Sequence, residues 1–340
     1  MAKKPQTQKD TEEEKLYQSL RAGTWGEFKG QEKLKKSLQI SLDAARKRGD
    51  VLEHVMLYGP PGLGKTTLAH IIAKEMNVNI NTTSGPALER AGDLASILTN
   101  LEQGDILFID EIHRLNKVVE ETLYPAMEDF ALDIVLGKGP GARTVRLELK
   151  PFTLVGATTQ AGKISSPLRD RFGVVHRMEF YKDGELAEIV IQAAEKMSVD
   201  INKKAALDLA SRSRKTARIA LKLLKRVRDF AEVYSHSVID EVVIKKALDM
   251  LEVDEYGLDA NDRMVLEVMI DKHDGGPVGL STLSASVAED IATIEDVYEP
   301  FLMRAGFLKR TPQGRVVTQK AYELFGKSPK NKKSDQESLL

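Results

Sequence analysis

A chain of 340 residues with 42% hydrophobic and 30% charged content is long enough for two or three domains with real apolar cores. Lysine and arginine number 50 against 51 aspartates and glutamates, so net charge marks no nucleic-acid or membrane partner and any basic surface must be local. The absence of cysteine excludes disulfides, thiol catalysis and cysteine metal sites, and fits a reducing cytoplasm, the expected location.

The opening MAKKPQTQKDTEEEK has no apolar core of the kind a secretory signal carries. No apolar run approaches the ~20 residues that span a bilayer. Residues 1–14 and 327–340 are polar, charged and expected to be disordered. QEKLKKSLQISLDAARKRGD spaces Leu34, Leu38, Leu42 and Ala45 as a helix that stops at Gly49. HVMLYG reads as a buried strand, TTLAHIIAKEMN as a helix, VNINTTS as a strand and AGDLASILTNLEQG as a helix. DILFIDE and PFTLVGATT are two more strands of the continuously apolar kind. Alternating strands and helices predict an α/β fold around a parallel sheet.

Between two of those strands, residues 133–149 (DIVLGKGPGARTVRLEL) read as an inserted β-hairpin. Val145, Leu147 and Leu149 make one apolar face, and Ile134, Val135 and Leu136 add apolar surface on the other strand. Composition favours packing of this face into the core over a projecting partner site. From Asp183 to about Glu252 every pattern is helical. YGLDAND marks a boundary, after which helices around MVLEVMI, LSTLSASVA and TIEDVYEPFLMRAG precede FLKRTPQGRVVT, two short strands. Pro312 and Gly314 suit the second and fourth positions of a type I turn between them.

GPPGLGKTT (59–67) matches the P-loop pattern and has a strand before it and a helix after it. Glycines such as Gly62 and Gly64 let backbone N–H groups face a phosphate, helped by the partial positive charge of the helix start. Lys65 would pair with the β- and γ-phosphates of ATP, and Thr66 would place its hydroxyl on Mg²⁺. ILFIDE (106–111) ends in Asp110 and Glu111 at the carboxyl end of a buried strand, where open α/β sheets bind ligands. Asp110 would hold the metal and Glu111 would orient or deprotonate the attacking water. The third strand ends in GATT, so Thr158 or Thr159 could sense the γ-phosphate. SSPLRDRFG (165–173) carries two arginines in what otherwise reads as a solvated turn, and the basic SRSRK and KLLKRVRDF read as a solvated helix face.

These pieces together resemble AAA+ ATPases, and more closely the RuvB family, the bacterial hexameric motors of Holliday junction branch migration. GPPGLGKTTLAHIIA, SGPALERAGDLASILTNLEQGDILFIDEIHRLN, PFTLVGATTQAG, SSPLRDRFG, and GGPVGL with RTPQGRVVT carry the resemblance, in order, from about Leu20 to Tyr322. It implies an AAA+ ATPase domain at 15–182 bearing the 133–149 hairpin, an all-helical lid at 183–255 and a winged-helix DNA-binding domain at 256–326. It implies ATP and Mg²⁺ as cofactors. Leu20, Arg21 and Tyr181 would lie on the adenine and ribose side, and Gly62, Lys65, Thr66 and Thr67 around the phosphates and metal. Glu128, Asp129 and Phe130 fall in a stretch the family associates with the nucleotide pocket. Arg171 would be a finger reaching the ATP of a neighbouring subunit, and Arg218 the lid arginine that reaches the γ-phosphate. Arg310 and Arg315 would contact DNA. The implied partners are duplex and Holliday junction DNA, RuvA through the hairpin, RuvC, and five further copies in a homohexamer. An AAA+ clamp-loader or initiator-type switch that binds DNA without travelling is the alternative. The chain departs from the family in two places. Lys215-Thr216-Ala217-Arg218 stands where the family has Gly-Thr-Pro-Arg, and Leu20-Arg21-Ala22 where it has Leu-Arg-Pro.

Overall fold

The computed structural model describes residues 19–136, 143–234 and 236–329. The expected disorder of 1–14 and of most of the tail lies outside them, as does the tip of the hairpin. Five parallel strands form one sheet in the order β2-β3-β6-β1-β7. They are β1 (Val55–Tyr58), β2 (Ile80–Ser84), β3 (Ile106–Asp110), β6 (Thr153–Thr158) and β7 (Val174–Arg177). β3 and β6 are apolar almost throughout because helices cover both faces of the sheet. The helix α1 (Glu32–Arg48) buries Leu34, Leu38, Leu42 and Ala45 and stops at Gly49, whose φ of 73° and N–H bonds to Ala45 and Arg46 close its end.

One apolar cluster contains Leu38, Leu57, Leu68 and Phe108 on one face of the sheet and runs on without a break into Leu209, Leu224 and Leu248 of the following helices. Those helices are α6 (Asp183–Lys196), α7 (Lys203–Ser211), α8 (Ala217–Val233) and α9 (Glu241–Met250). A second cluster on the other face packs Leu107, Ile109 and Leu154 against Val119 and Leu123 of α4 (Lys117–Glu128). The third is separate. It joins Leu266 and Met269 of α10 (Ala260–His273) to Leu283, Phe301, Phe307 and Val317. There Leu308–Thr311 and Gly314–Val317 form an antiparallel hairpin across the Pro312–Gln313 turn, as expected.

Three details differ from the sequence reading. β7 was not expected, because VVHR is a half-exposed edge strand without a continuous apolar run. The stretch expected to be wholly helical contains Asp200–Ile201 paired in parallel with Val238–Ile239, pairs too short to leave a periodic signal. The inserted hairpin, β4 (Ala131–Leu136) with β5 (Arg143–Glu148), forms a two-stranded sheet of its own. Leu132 and Leu149 are buried at its base, but Val145 and Leu147 are exposed. Its apolar face is therefore not core beyond the base.

A polar joint ties the lid helices to the separate C-terminal core. Arg214 donates to Asp259 at 2.8 Å, to Asp262 at 2.6 Å and to the Gly257 carbonyl at 3.1 Å. Its guanidinium also stacks on Phe301, while Arg304 stacks on Phe180 and donates to the Arg214 carbonyl. Burial pushes the carboxyl of Asp262 up to about 6.

His54 pins the sheet to α4. Its Nδ1 accepts from the Leu154 N–H at 2.9 Å, so the ring's proton is on Nε2, which donates to the Met127 carbonyl at 3.0 Å. Burial lowers its pKa below 6.5. The neutral ring is thus the folded form, and the stability it contributes is present above pH 6.5 and lost as pH falls below that. Replacing His54 with Asn should lower the melting temperature at pH 8 and flatten its decline between pH 7 and pH 5. An unchanged slope in thermal melts would show that His54 does not set that decline.

Candidate nucleotide-hydrolysis site

β1, β3 and β6 end at one edge of the sheet, and the segments that follow them enclose a cleft of about 530 Å³. Arg21, Gly62, Gly64, Lys65, Thr66 and Thr67 line it. Asp110, Glu111, Thr159, Arg218 and Lys222 face them. The loop after β1 cannot tolerate side chains at two points. A Cβ on Gly59, at φ 144°, would lie 2.7 Å from the Met178 carbonyl oxygen. One on Gly62, at φ 78°, would lie 2.9 Å from Cβ of Arg218, so the lid rests directly on the loop. The Arg218 N–H donates to the Gly62 carbonyl at 3.2 Å.

Lys65 opens α2 (Lys65–Met76) and is only 7% exposed. Its ammonium donates to the carbonyls of Gly59 at 2.8 Å and Pro60 at 2.9 Å. Burial lowers its pKa from 10.5 to about 8, with Arg218 acting in the same direction and Asp110 opposing. Arg21 is lowered as well, by burial and then by Arg218. The cleft therefore gathers four cations, Arg21, Lys65, Arg218 and Lys222, against two carboxylates, a field that favours a polyphosphate.

Asp110 accepts from the Glu111 N–H at 2.9 Å. Glu111 sits at φ 50°, a left-handed conformation that non-glycine residues seldom adopt, and Arg114 holds its carboxylate at 2.9 Å. The hydroxyl of Thr66 and the carboxylate of Asp110 line the same cleft. One hydroxyl and one carboxylate are hard oxygen donors of the kind Mg²⁺ takes beside substrate phosphates and water. The donor set fits that ion. Among the described residues there is no group of three or more acidic or histidine side chains that would hold a metal alone.

Other expected site residues lie outside the cleft lining. Leu20 is buried in the first core. Tyr181 is buried and donates to the Leu63 carbonyl at 2.9 Å, bracing the loop from behind, and burial pushes its pKa up. Thr158 is 1% exposed, with its oxygen accepting from the Gln160 N–H and facing His113 Nδ1 at 2.9 Å. Thr159, the other threonine of GATT, is the one that reaches the cleft. Glu128 pairs with Arg171, Asp129 with Arg146, and Phe130 packs edge-on to His54 and Phe152. These residues and Arg171 form a surface separate from the chain's own cleft. Lys222 was not foreseen. It follows Arg218 by four residues on α8, and that spacing alone would have placed both on one helical face.

Three family descriptions match consecutive stretches: the Holliday junction DNA helicase RuvB P-loop domain over 20–178, the RuvB AAA lid domain over 181–254 and the RuvB C-terminal winged helix domain over 255–326. The chain belongs to the RuvB family. It is 58% identical over 312 residues to the Holliday junction branch migration complex subunit RuvB of Fusobacterium nucleatum, covering 92% of this chain and 94% of that protein. It is 51% identical to the solved Thermotoga maritima RuvB Holliday junction branch migration motor, with a TM-score of 0.81 over 91% of this chain and 99% of that one. Membership carries a P-loop ATPase domain, a AAA lid and a winged helix, and with them nucleotide binding. Among the described residues no helix is long and apolar enough to cross a membrane.

The family frame explains Lys215. It sits at φ 58°, where the family glycine would be unstrained, and its ammonium is clamped by both oxygens of Asp183 at 2.5 and 2.6 Å. Ala217 takes the first position of α8, where the family proline suits the helix start equally well.

The depressed pKa of Lys65 has a measurable consequence. Phosphate favours the charged amine, so above pH 8 nucleotide binding should take up a proton and weaken as pH rises, approaching about tenfold per pH unit. Calorimetry at pH 8.5 in two buffers of different ionisation enthalpy should reveal the proton. Equal heats in both would count against a titrating Lys65.

Proposed function

We propose that this chain is the ATP-driven motor subunit of a RuvAB-type complex that moves duplex DNA and drives branch migration of Holliday junctions in recombination and repair. The observation that carries this reading is the convergence of Lys65, Asp110, Glu111 and Arg218 on one cleft, in a chain that also bears a winged-helix unit. The reaction is in-line attack of water on the γ-phosphate of ATP. Lys65 and the loop amides bind the β- and γ-phosphates, and Arg218 approaches from the lid. Glu111, once released from Arg114, orients the water and takes up its proton. Mg²⁺, held by Thr66 and Asp110, would neutralise charge on the phosphate oxygens. Thr159 rather than Thr158 is the threonine placed to sense the γ-phosphate.

Arg171 belongs to a neighbour's reaction. It lies outside its own cleft lining, and arginine supplied in trans can contribute ~10³–10⁵ in rate. The reading therefore requires a ring, taken here as the family's homohexamer, acting in the cytoplasm. The exposed Val145 and Leu147 of the hairpin are the surface offered to RuvA, with RuvC joining the same assembly at the junction. Arg310 and Arg315 face each other across the wing and would meet DNA phosphates.

The deciding experiment is ATP-dependent branch migration of a synthetic four-way junction, with and without RuvA. Movement that needs ATP and is stimulated by RuvA supports the motor. Junction binding with ATP turnover but no migration would make the chain a switch. Glu111→Gln should retain nucleotide affinity and lose turnover by about 10²-fold or more. Wild-type turnover would show that another group activates the water. Arg171→Ala should bind ATP and hydrolyse it poorly, and mixing it with Lys65→Ala should restore some turnover. Arg169, which donates to the Ile164 carbonyl at 3.2 Å, is the control.

The two wing arginines should differ. Both bond the buried Glu299 and both approach Glu295, Arg310 at 3.0 Å and Arg315 at 4.0 Å, but Arg310 is half-exposed and Arg315 largely covered. Arg310→Ala should weaken DNA binding across sequences and reduce its salt slope by about 1. Arg315→Ala should lower the melting temperature more than Arg310→Ala, because the Arg315 bond to the buried Glu299 is shielded from water while Arg310 is half-exposed. Salt titrations and thermal melts read the two effects separately.

A further inference from the structure

Arg171 is held on its own subunit by three contacts of different kinds. Nη1 donates to the Pro167 carbonyl at 2.6 Å, Nη2 donates to Glu128 at 2.9 Å, and the guanidinium carbon lies 4.3 Å from the centre of the Tyr124 ring. Its Nε is buried with no hydrogen-bond partner. The contacts with Pro167 and Glu128 consume N–H donors, and Glu128 competes with any phosphate for the same charge. The Glu128 carboxylate is 56% exposed, so water weakens its hold. The ring contact differs. A guanidinium stacked on an aromatic face keeps every N–H free in its own plane, ready for a forked approach to phosphate oxygens.

Tyr124 is itself anchored. Its hydroxyl donates to Glu120 at 2.7 Å, and the hydroxyl of Ser165 donates to the same carboxylate oxygen. Ser165 caps the short helix Ser166–Arg169 by accepting from the Leu168 N–H at 3.2 Å. One carboxylate on α4 thus fixes both the ring beneath Arg171 and the start of the turn that carries it.

We propose that Tyr124 is a positioning residue for Arg171, an aromatic shelf that sets the plane of the guanidinium without itself taking up any of the donors that a neighbouring subunit's nucleotide would use. The proposal rests on the trans-acting reading of Arg171. Full-length Tyr124→Leu should lower kcat for ATP roughly tenfold, the scale of one desolvated cation–ring contact, with nucleotide Kd unchanged. Tyr124→Phe keeps the ring and should restore most of that loss. In an Arg171→Ala background, Tyr124→Leu should cost nothing further, because the group it positions is gone. Tyr124→Met serves in the same way if the leucine variant melts below the assay temperature. Wild-type kcat in Tyr124→Leu, a phenylalanine variant as impaired as the leucine one, or an additive loss in the Arg171→Ala background would each overturn the shelf. If Arg171→Ala itself hydrolyses ATP at the wild-type rate, the trans-acting reading falls first. If Arg171→Ala is impaired and Tyr124→Leu is not, only the shelf is lost.

Discussion

Five consecutive residues connect the nucleotide cleft to the C-terminal unit. Arg218 rests its backbone on Gly62 and turns its side chain into the cleft. Ala217 lines the same cleft, and Thr216 is buried. Lys215 accepts at its carbonyl from the Tyr181 N–H and clamps Asp183 with its ammonium. Arg214 bonds Asp259, Asp262 and Gly257. Arg214 and Lys215 both take left-handed backbone angles, φ 51° and 58°, to make this turn. Two such residues in succession carry a backbone cost, and an ion pair holds each of them in place.

That segment gives the lid two different attachments. Towards the sheet the contact is apolar and continuous, one core shared from Leu57 to Leu248. Towards the winged helix it is an ion-pair and cation–aromatic joint around Arg214 and Arg304, beyond which a separate core begins. Shared apolar packing deforms little, whereas a polar joint between two cores can rearrange at lower cost. The lid is therefore tied to the sheet by shared apolar packing, and the winged helix to the lid by ion pairs and cation–ring contacts.

The cleft and the Arg171 surface obey opposite electrostatic logics. In the cleft, cations crowd together until burial and mutual repulsion lower the pKa values of Lys65 and Arg21, which a bound anion would relieve. At the Arg171 surface, the guanidinium is held within the chain by Glu128 and Pro167, with its Nε left unpaired. The first arrangement stores affinity for a ligand. The second holds a charge against its own subunit through one carboxylate, one carbonyl and one ring.

The strands β1, β2, β3 and β6, the P-loop, the acidic strand end and the wing hairpin were legible from order and composition. Each is a local pattern, apolar runs or glycine spacing, that the backbone must obey wherever it sits. The edge strand β7 and the two-residue pairing of Asp200–Ile201 with Val238–Ile239 were not, because their strand character comes from neighbours rather than from periodicity. The same division runs through the site. The sequence by itself determined that Lys65, Thr66, Asp110 and Glu111 share one edge of a parallel sheet. Only the tertiary structure decided that Thr159 and not Thr158 faces the cleft, that Lys222 joins it, and that Val145 and Leu147 stand in solvent. It alone brought Tyr124 beneath Arg171 across 47 positions of chain. A strand's two faces and the far side of a helix differ by a single rotation, and packing, not composition, selects which one meets the ligand.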